Sequence, residues 1–97
     1  MGAFVYILSC ADESYYVGSA TGDDLADRIA KHNAGYFGGY TASRRPLQLV
    51  WSGHFANITD AIAAERQIKG WSRAKKEALI RGDWNAIQQL AKRRGGR

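Results

Sequence analysis

Residues Phe4 to Cys10 read FVYILSC, and after Ala11-Asp12-Glu13-Ser14 the chain continues Tyr15-Tyr16-Val17-Gly18. The first run is rich in β-branched and aromatic residues and is apolar on both faces, which predicts a central strand covered on both sides. The four residues after it form a turn, and the second run returns as a hairpin partner. Strand alternation puts Phe4, Tyr6, Leu8 and Cys10 on one face of the first strand, and Ser14, Tyr16 and Gly18 on one face of the second. Tyr6 and Tyr16 are therefore placed to meet across one surface of the sheet. Gly18 leaves the backbone open beside them. Ordinary aromatic packing explains such a pair as readily as a chemical role does.

Outward from the hairpin, Gly22-Asp23-Asp24 opens a helix with an aspartate as N-cap. It runs to about Asn33 and ends before Gly35. Gly35 to Ser43 (GYFGGYTAS) is a glycine-rich loop whose Tyr36, Phe37 and Tyr40 either stack on unpaired bases or pack down on the fold. A third strand follows Pro46, roughly Leu47 to Phe55, with Leu47, Leu49 and Trp51 on one side. Asn57 or Thr59 caps a helix that runs to about Lys69 and ends at Gly70. Ser72 caps the next, which stops at Gly82. Asp83 caps a last helix with apolar Trp84, Ile87 and Leu90 at every third position. The order β-β-α-β-α-α-α predicts an α+β fold with a small three-stranded, mainly antiparallel sheet flanked by helices. Residues 1–82 read as the domain, and residues 83–97 as a C-terminal helix and basic tail. That tail, Lys92 to Arg97, has no apolar residue to pack and reads as disordered.

A chain of 97 residues holds one modest core. Its longest apolar run, Ala3 to Leu8, is far short of a bilayer span, and no signal segment opens the chain, so a cytoplasmic protein with no membrane partner is expected. Cys10 is the only cysteine, which excludes a disulfide framework and a cysteine-rich zinc site. It ends a buried strand with no adjacent base and reads as a small core residue. The net charge of +5 is unevenly placed. Residues 1–60 carry four Lys/Arg and six Asp/Glu, whereas residues 61–97 carry ten and three, so the halves stand at −2 and +7. A basic half of this kind is the footprint of a polyanion binder, and equally of a well-solvated surface.

The informative residues are polar groups on apolar stripes. Leu25 and Ile29 mark the inner stripe of the first helix, and Arg28 and His32 lie on or beside it. In the later helix Ile58, Ala61, Ile62 and Ile68 mark the stripe, and Glu65 falls in line with them. A carboxylate there is desolvated unless it is paired or binds a cation. The plain alternatives are a Glu65–Lys69 salt bridge, a surface Arg28 and a helix-end His32. His32 and His54, on different elements, make a weak case for zinc.

Together these features resemble the GIY-YIG nuclease superfamily. Phe4-Val5-Tyr6 loosely matches its first triplet and Tyr16-Val17-Gly18 its second, with the tyrosines ten positions apart. Leu25-x-x-Arg28-x-x-x-His32-Asn33 matches the following helix. Tyr40-Thr41 and Arg45-Pro46 fit the next segment of small stand-alone members. Ala64 to Arg73 looks like the glutamate helix. The resemblance spans about Phe4 to Ile80. It departs at Phe4, which replaces a glycine, at Val17, which replaces isoleucine, and in a longer Ser19 to Asp24 stretch.

The resemblance implies a divalent-metal-dependent endonuclease that hydrolyses phosphodiester bonds. Glu65 would hold one Mg²⁺ or Mn²⁺, Arg28 would meet the scissile phosphate, and His32 would be a second phosphate contact or a proton carrier. Tyr6 would be the base and Tyr16 would position water or phosphate, an order held loosely. Candidate nucleic-acid contacts are Arg28, Arg44, Arg45, Lys69, Arg73 and Lys75. No separate specificity domain or helix-turn-helix signature is present, so recognition of branched or single-stranded DNA, in repair or processing, is expected over sequence-specific cutting; a protein partner could instead supply the target, and RNA is not excluded. A non-catalytic nucleic-acid-binding module on the same fold is the alternative, and an RNA- or ribosome-binding protein a weaker third.

Overall fold

The computed structural model describes residues 2–22, 25–36 and 39–89. The elements are β1 (Ala3–Ser9), β2 (Tyr15–Thr21), α1 (Leu25–Asn33), α2 (Gly39–Ala42), β3 (Gln48–Phe55), α3 (Ile58–Lys69) and α4 (Arg73–Arg81). Residues 84–89 are also helical. The expected cap at Asp23 or Asp24, Phe37, the side chain of Tyr40, Leu90 and the tail lie outside the described residues.

The sheet has the order β2-β1-β3 with both pairings antiparallel, so β1 is central and β2 and β3 are edges. One face of β1 presents Ala3, Val5 and Ile7 to a cluster that takes in Val17, Ala61, Ile68, Ala78, Leu79 and Ile87. This face is covered by α3 and α4. The other face presents Tyr6, Leu8 and Cys10, with Ala20 and Leu47, to Leu25 and Ile29 of α1. A strand apolar on both sides needs cover on both, and the helices supply it.

The helix ends follow from their local chemistry. The Asn57 side chain accepts from Asp60 N, and the Ser72 hydroxyl accepts from Lys75 N at 3.2 Å. Gly82 closes α4 at φ 72, where a side chain would be strained. Asp83 Oδ1 accepts from Ala86 N at 3.0 Å and opens the last helix.

Three features depart from the sequence reading. The β1–β3 register shifts between Ile7 and Leu8, so that Ile7 faces Trp51 while Leu8 faces Leu49. Val50 is the extra residue of a bulge, and Trp51 joins it on the α3/α4 side instead of following Leu47 and Leu49. The glycine-rich loop contains the four-residue α2, entered at Gly39 with φ 64, which is too short to leave a helical period in the sequence. Trp84 is 62% exposed, and of its predicted stripe Ile87 alone among the described residues is buried.

Candidate active site

The site grows from the register of the hairpin. Tyr6 pairs with Gly18, and Leu8 pairs with Tyr16, so the two tyrosines are diagonal neighbours on one face. Their ring centroids lie 6.4 Å apart. The Tyr6 ring leans across Gly18, where a Cβ would come within 2.7 Å of the hydroxyl and 2.9 Å of Tyr16 Cε2. No residue with a side chain fits there without displacing a tyrosine, which gives the glycine its physical reason.

Helix α1 brings the next two groups. Its apolar stripe, Leu25 and Ile29, seats it on this face of the sheet, and the helical period turns Arg28 and His32 the same way. Arg28 Nε donates to the Tyr6 hydroxyl at 3.3 Å, and Tyr6 Oη lies 3.0 Å from His32 Nε2. The His32 ring also packs edge-on against Tyr6 and Tyr16, at 5.9 and 5.4 Å. Its other nitrogen, Nδ1, is 3.1 Å from Thr41 Oγ1 on α2. Tyr6 is 0% and His32 2% exposed, whereas Tyr16 and Arg28 are half-buried. Burial pushes the Tyr6 hydroxyl above its ordinary pKa. Arg28 pulls the other way by hydrogen bond and charge, and the negative charge of Glu65 adds to the rise. Burial holds His32 below its ordinary value, and the positive charge of Arg28 lowers it further.

Glu65 does not join this hydrogen-bonded group. It sits on α3, across the edge strand β2, where Ser19 donates to Oε1 at 2.5 Å and Lys69 pairs with Oε2 at 2.7 Å. Ser19 and Gly18 are consecutive and point to opposite faces of β2. The glutamate and the tyrosines thus approach one another around that strand's outer edge, close enough for the Glu65 charge to raise Tyr6. Burial works against the Glu65 carboxylate, but the hydrogen bonds from Lys69 and Ser19 and the charges of Lys69 and Arg66 outweigh it and hold the pKa below the ordinary carboxylate value. The salt bridge and the in-line placement on α3 are therefore both present.

The remaining basic candidates each make a contact within the fold. Arg44 Nε pairs with Asp12 at 3.0 Å, and Arg73 donates to Glu13 O at 2.7 Å while pairing with Glu77 at 3.2 Å. Both hold the β1–β2 turn. Arg45 donates to Ala42 O at 2.7 Å and to Asn33 O at 3.3 Å, tying the end of α1 to the segment before β3. Lys75 is buried on α4 with its ammonium 4.3 Å from the centre of the Trp71 ring. Tyr36, from the aromatic loop, is exposed, and the Lys31 ammonium lies 5.4 Å from its ring centre.

Sequence reasoning missed three supporting residues. Thr41 and Ser19 are ordinary hydroxyls until the fold sets them against His32 and Glu65. Asn33 grips Leu47 from both sides, accepting from its N at 2.6 Å and donating to its O at 3.1 Å, and so fixes α1 to the start of β3. The His32-Asn33 pair was the available signal for Asn33. A buried Cys10 closes this face and carries a free thiol. Among the described residues no group of three or more His, Cys, Asp or Glu side chains could hold a metal together. Nor is any described helix long and apolar enough to cross a membrane.

Comparison with known proteins gives one consistent answer. A family model described as the GIY-YIG catalytic domain matches residues 2–78. A UPF0213 protein of Natronomonas pharaonis is 44% identical over 77 residues, covering 79% of this chain and 88% of that protein. One from Staphylococcus saprophyticus is likewise 44% identical over 77 residues, covering 79% and 92%. The solution NMR structure of a UPF0213 protein from Bacillus halodurans aligns with a TM-score of 0.53 at 41% identity, covering 82% of this chain and 83% of that one.

Proposed function

The chain belongs to the GIY-YIG catalytic domain family, whose fold is a nuclease fold, and on that premise we propose that it is a divalent-metal-dependent endonuclease acting on DNA with little sequence specificity. The observation that carries this reading is the convergence of Arg28 and His32 on the single buried hydroxyl of Tyr6, beside an ionised Glu65 at the same strand edge.

The donor set at Glu65 suits one hard cation. It offers a carboxylate held in its charged form, with the Ser19 hydroxyl alongside and, among the described residues, no cluster of further metal-ligating side chains. Mg²⁺ keeps most of its waters and accepts a single protein carboxylate, so Glu65 would hold it, with Lys69 yielding one oxygen. Bound there, Mg²⁺ or Mn²⁺ supplies Lewis-acid neutralisation of charge at a phosphate oxygen. The chain's own residues do the rest. Arg28 is permanently charged and meets the scissile phosphate, while its Nε steadies any negative charge on Tyr6.

A tyrosine raised above pH 10 is a poor base on its own. Tyr6 would escape that limit once substrate binding opens its closed hydroxyl to a water, passing its own proton to His32 Nε2 as it takes one from that water. Burial keeps His32 neutral and ready to accept at neutral pH. The half-buried Tyr16 is the first of the pair that a substrate would touch, and it positions water or phosphate. Lys69, once off Glu65, is a further phosphate contact. A nucleic-acid role for Arg44, Arg45, Arg73 and Lys75 would be in addition to their contacts within the fold.

Labelled single-stranded, duplex and branched DNA, incubated with Mg²⁺, Mn²⁺ or EDTA beside Glu65→Gln, tests the proposal. Metal-dependent cutting is expected in the native protein, preferentially on branched or single-stranded substrates. In Glu65→Gln it should fall by about 10³-fold or more with DNA binding retained. Metal-dependent turnover retained in that variant would overturn the role of Glu65. Equal binding without cutting in both proteins would return the non-catalytic module.

A further inference from the structure

We propose that Thr41 is a positioning residue that fixes His32 in the tautomer protonated on Nδ1, leaving Nε2 free to take the Tyr6 proton. The inference deepens the proposed nuclease mechanism and, for its activity arm only, rests on it.

The direction of each hydrogen bond follows from what each group can donate. Tyr6 is closed to solvent, and its hydroxyl has two partners among the described residues, Arg28 Nε and His32 Nε2. An arginine nitrogen only donates, so the Tyr6 oxygen accepts from Arg28. Among the described residues the phenolic proton then has one hydrogen-bond acceptor, His32 Nε2. An unbonded hydroxyl at a buried site is costly, so Tyr6 donates and Nε2 accepts. A neutral imidazole with Nε2 accepting carries its proton on Nδ1. That proton faces Thr41 Oγ1 at 3.1 Å, and Thr41 is itself 3% exposed, so water does not compete for the contact. Among the described residues the ring faces Tyr6, Tyr16, Arg28 and Thr41, and none of these is a carboxylate that would favour a doubly protonated ring.

The result is a directed line, Arg28 to Tyr6 to His32 to Thr41, in which each proton as far as the Thr41 oxygen has an acceptor. Reversing His32 would break it: Nε2 would donate to a Tyr6 oxygen already accepting from Arg28, and the phenolic proton would have nowhere to go. Thr41 is thus the group on α2 that holds the direction set in the hairpin, 35 residues earlier in the chain: without its oxygen the Nδ1 proton would be buried unpaired, a cost that offsets the preference imposed by Tyr6 and Arg28. A hydroxyl is needed, and serine can replace it.

The test is ¹⁵N NMR of the His32 ring in the native protein, Thr41→Val and Thr41→Ser, with thermal melts to confirm folding. The native protein and Thr41→Ser should show one neutral tautomer, protonated on Nδ1. Thr41→Val should lose that single form, giving a mixture or the Nε2-protonated ring. If the valine variant does not fold, Thr41→Ala removes the same oxygen with less bulk and decides the case. A native ring protonated on Nε2, or a ring unchanged when the hydroxyl is removed, would overturn the proposal. In the cleavage assay, loss of the hydroxyl should lower kcat by about 10²-fold with KM little changed, and serine should restore it. A native protein that cuts nothing would count against the nuclease reading and leave the NMR result to judge Thr41.

Discussion

The two faces of β1 are both shut away from water, yet they are built on different principles. Val5 and Ile7 pack among Ala61, Ile68, Ala78 and Leu79, where any well-shaped aliphatic group would serve. Tyr6, one residue away, faces a histidine and an arginine, and there every polar atom needs a partner in a set direction. Among the described residues no buried side-chain nitrogen or oxygen lacks one. The aliphatic face supplies non-directional stability. The tyrosine face takes on polar groups that must be individually satisfied, and it is the face on which a proton could move. Because one strand serves both, damage on either side should be separable by what it changes.

The largest expected effect is Tyr6→Phe. It keeps the ring and its packing but removes the hydroxyl on which Arg28 and His32 converge. Cleavage should fall by about 10² to 10⁴-fold, the range of a general acid–base group, while stability drops by only about 1–3 kcal/mol for the two partners left unsatisfied. Ile7→Ala is its counterpart on the other face. It should cost about 2–5 kcal/mol in urea unfolding, with activity per folded molecule unchanged. If Ile7→Ala abolished cleavage by molecules that remain folded, the two faces would not be separable and the contrast would fail.

Gly18→Ala probes the boundary between them. The new Cβ would sit 2.7 Å from the Tyr6 hydroxyl, and that hydroxyl is tethered at both sides, so the ring cannot swing away freely. The expected cost is about 1–3 kcal/mol, accompanied by a weakened Tyr6–His32 contact visible as a shifted His32 resonance. An alanine accepted without change in either quantity would mean that the hairpin yields there.

Much of this contrast was legible before any coordinates. A run apolar on both faces announced the central strand, and Asn57, Gly70, Ser72 and Gly82 marked their helices, because capping chemistry is local. Tyr6, Tyr16, Arg28, His32 and Glu65 stood out as polar groups at positions where burial was due. What stayed hidden was non-local. The bulge at Val50 depends on the partner strand, so Trp51 was placed on the wrong side. The hydroxyls of Thr41 and Ser19 gain meaning only from a histidine nine residues before the one and a glutamate forty-six after the other. Arg44, Arg45 and Arg73 are candidate nucleic-acid contacts in the sequence, which could not show that each is engaged by a backbone carbonyl or an acid near the hairpin turn or the end of α1.

The smallest effect sharpens the comparison furthest, because it needs no damage to packing. Burial, and then Arg28, lower the pKa of His32 in the folded protein below its ordinary value of 6.5. The unfolded chain, whose histidine keeps that ordinary value, therefore binds more protons as pH falls through about 6.5. Stability rises with pH wherever the unfolded state holds more protons, so the contribution of the neutral ring is fully present above 6.5 and is lost progressively as pH falls toward the lower folded value. Urea midpoints taken from pH 7.5 down to 5.5 should decline in the native protein and decline less steeply in His32→Gln, which lacks the titrating ring. Ile7→Ala should start lower yet keep the native slope, since the aliphatic cluster around Ile7 holds nothing that titrates in that range. Parallel slopes for the native protein and His32→Gln would mean that the fold leaves the ring's proton affinity unchanged, and a native slope shallower than that of His32→Gln would mean that the fold keeps the ring protonated. The Tyr6 proton would then have no acceptor, and the tyrosine face would be only a second packing surface.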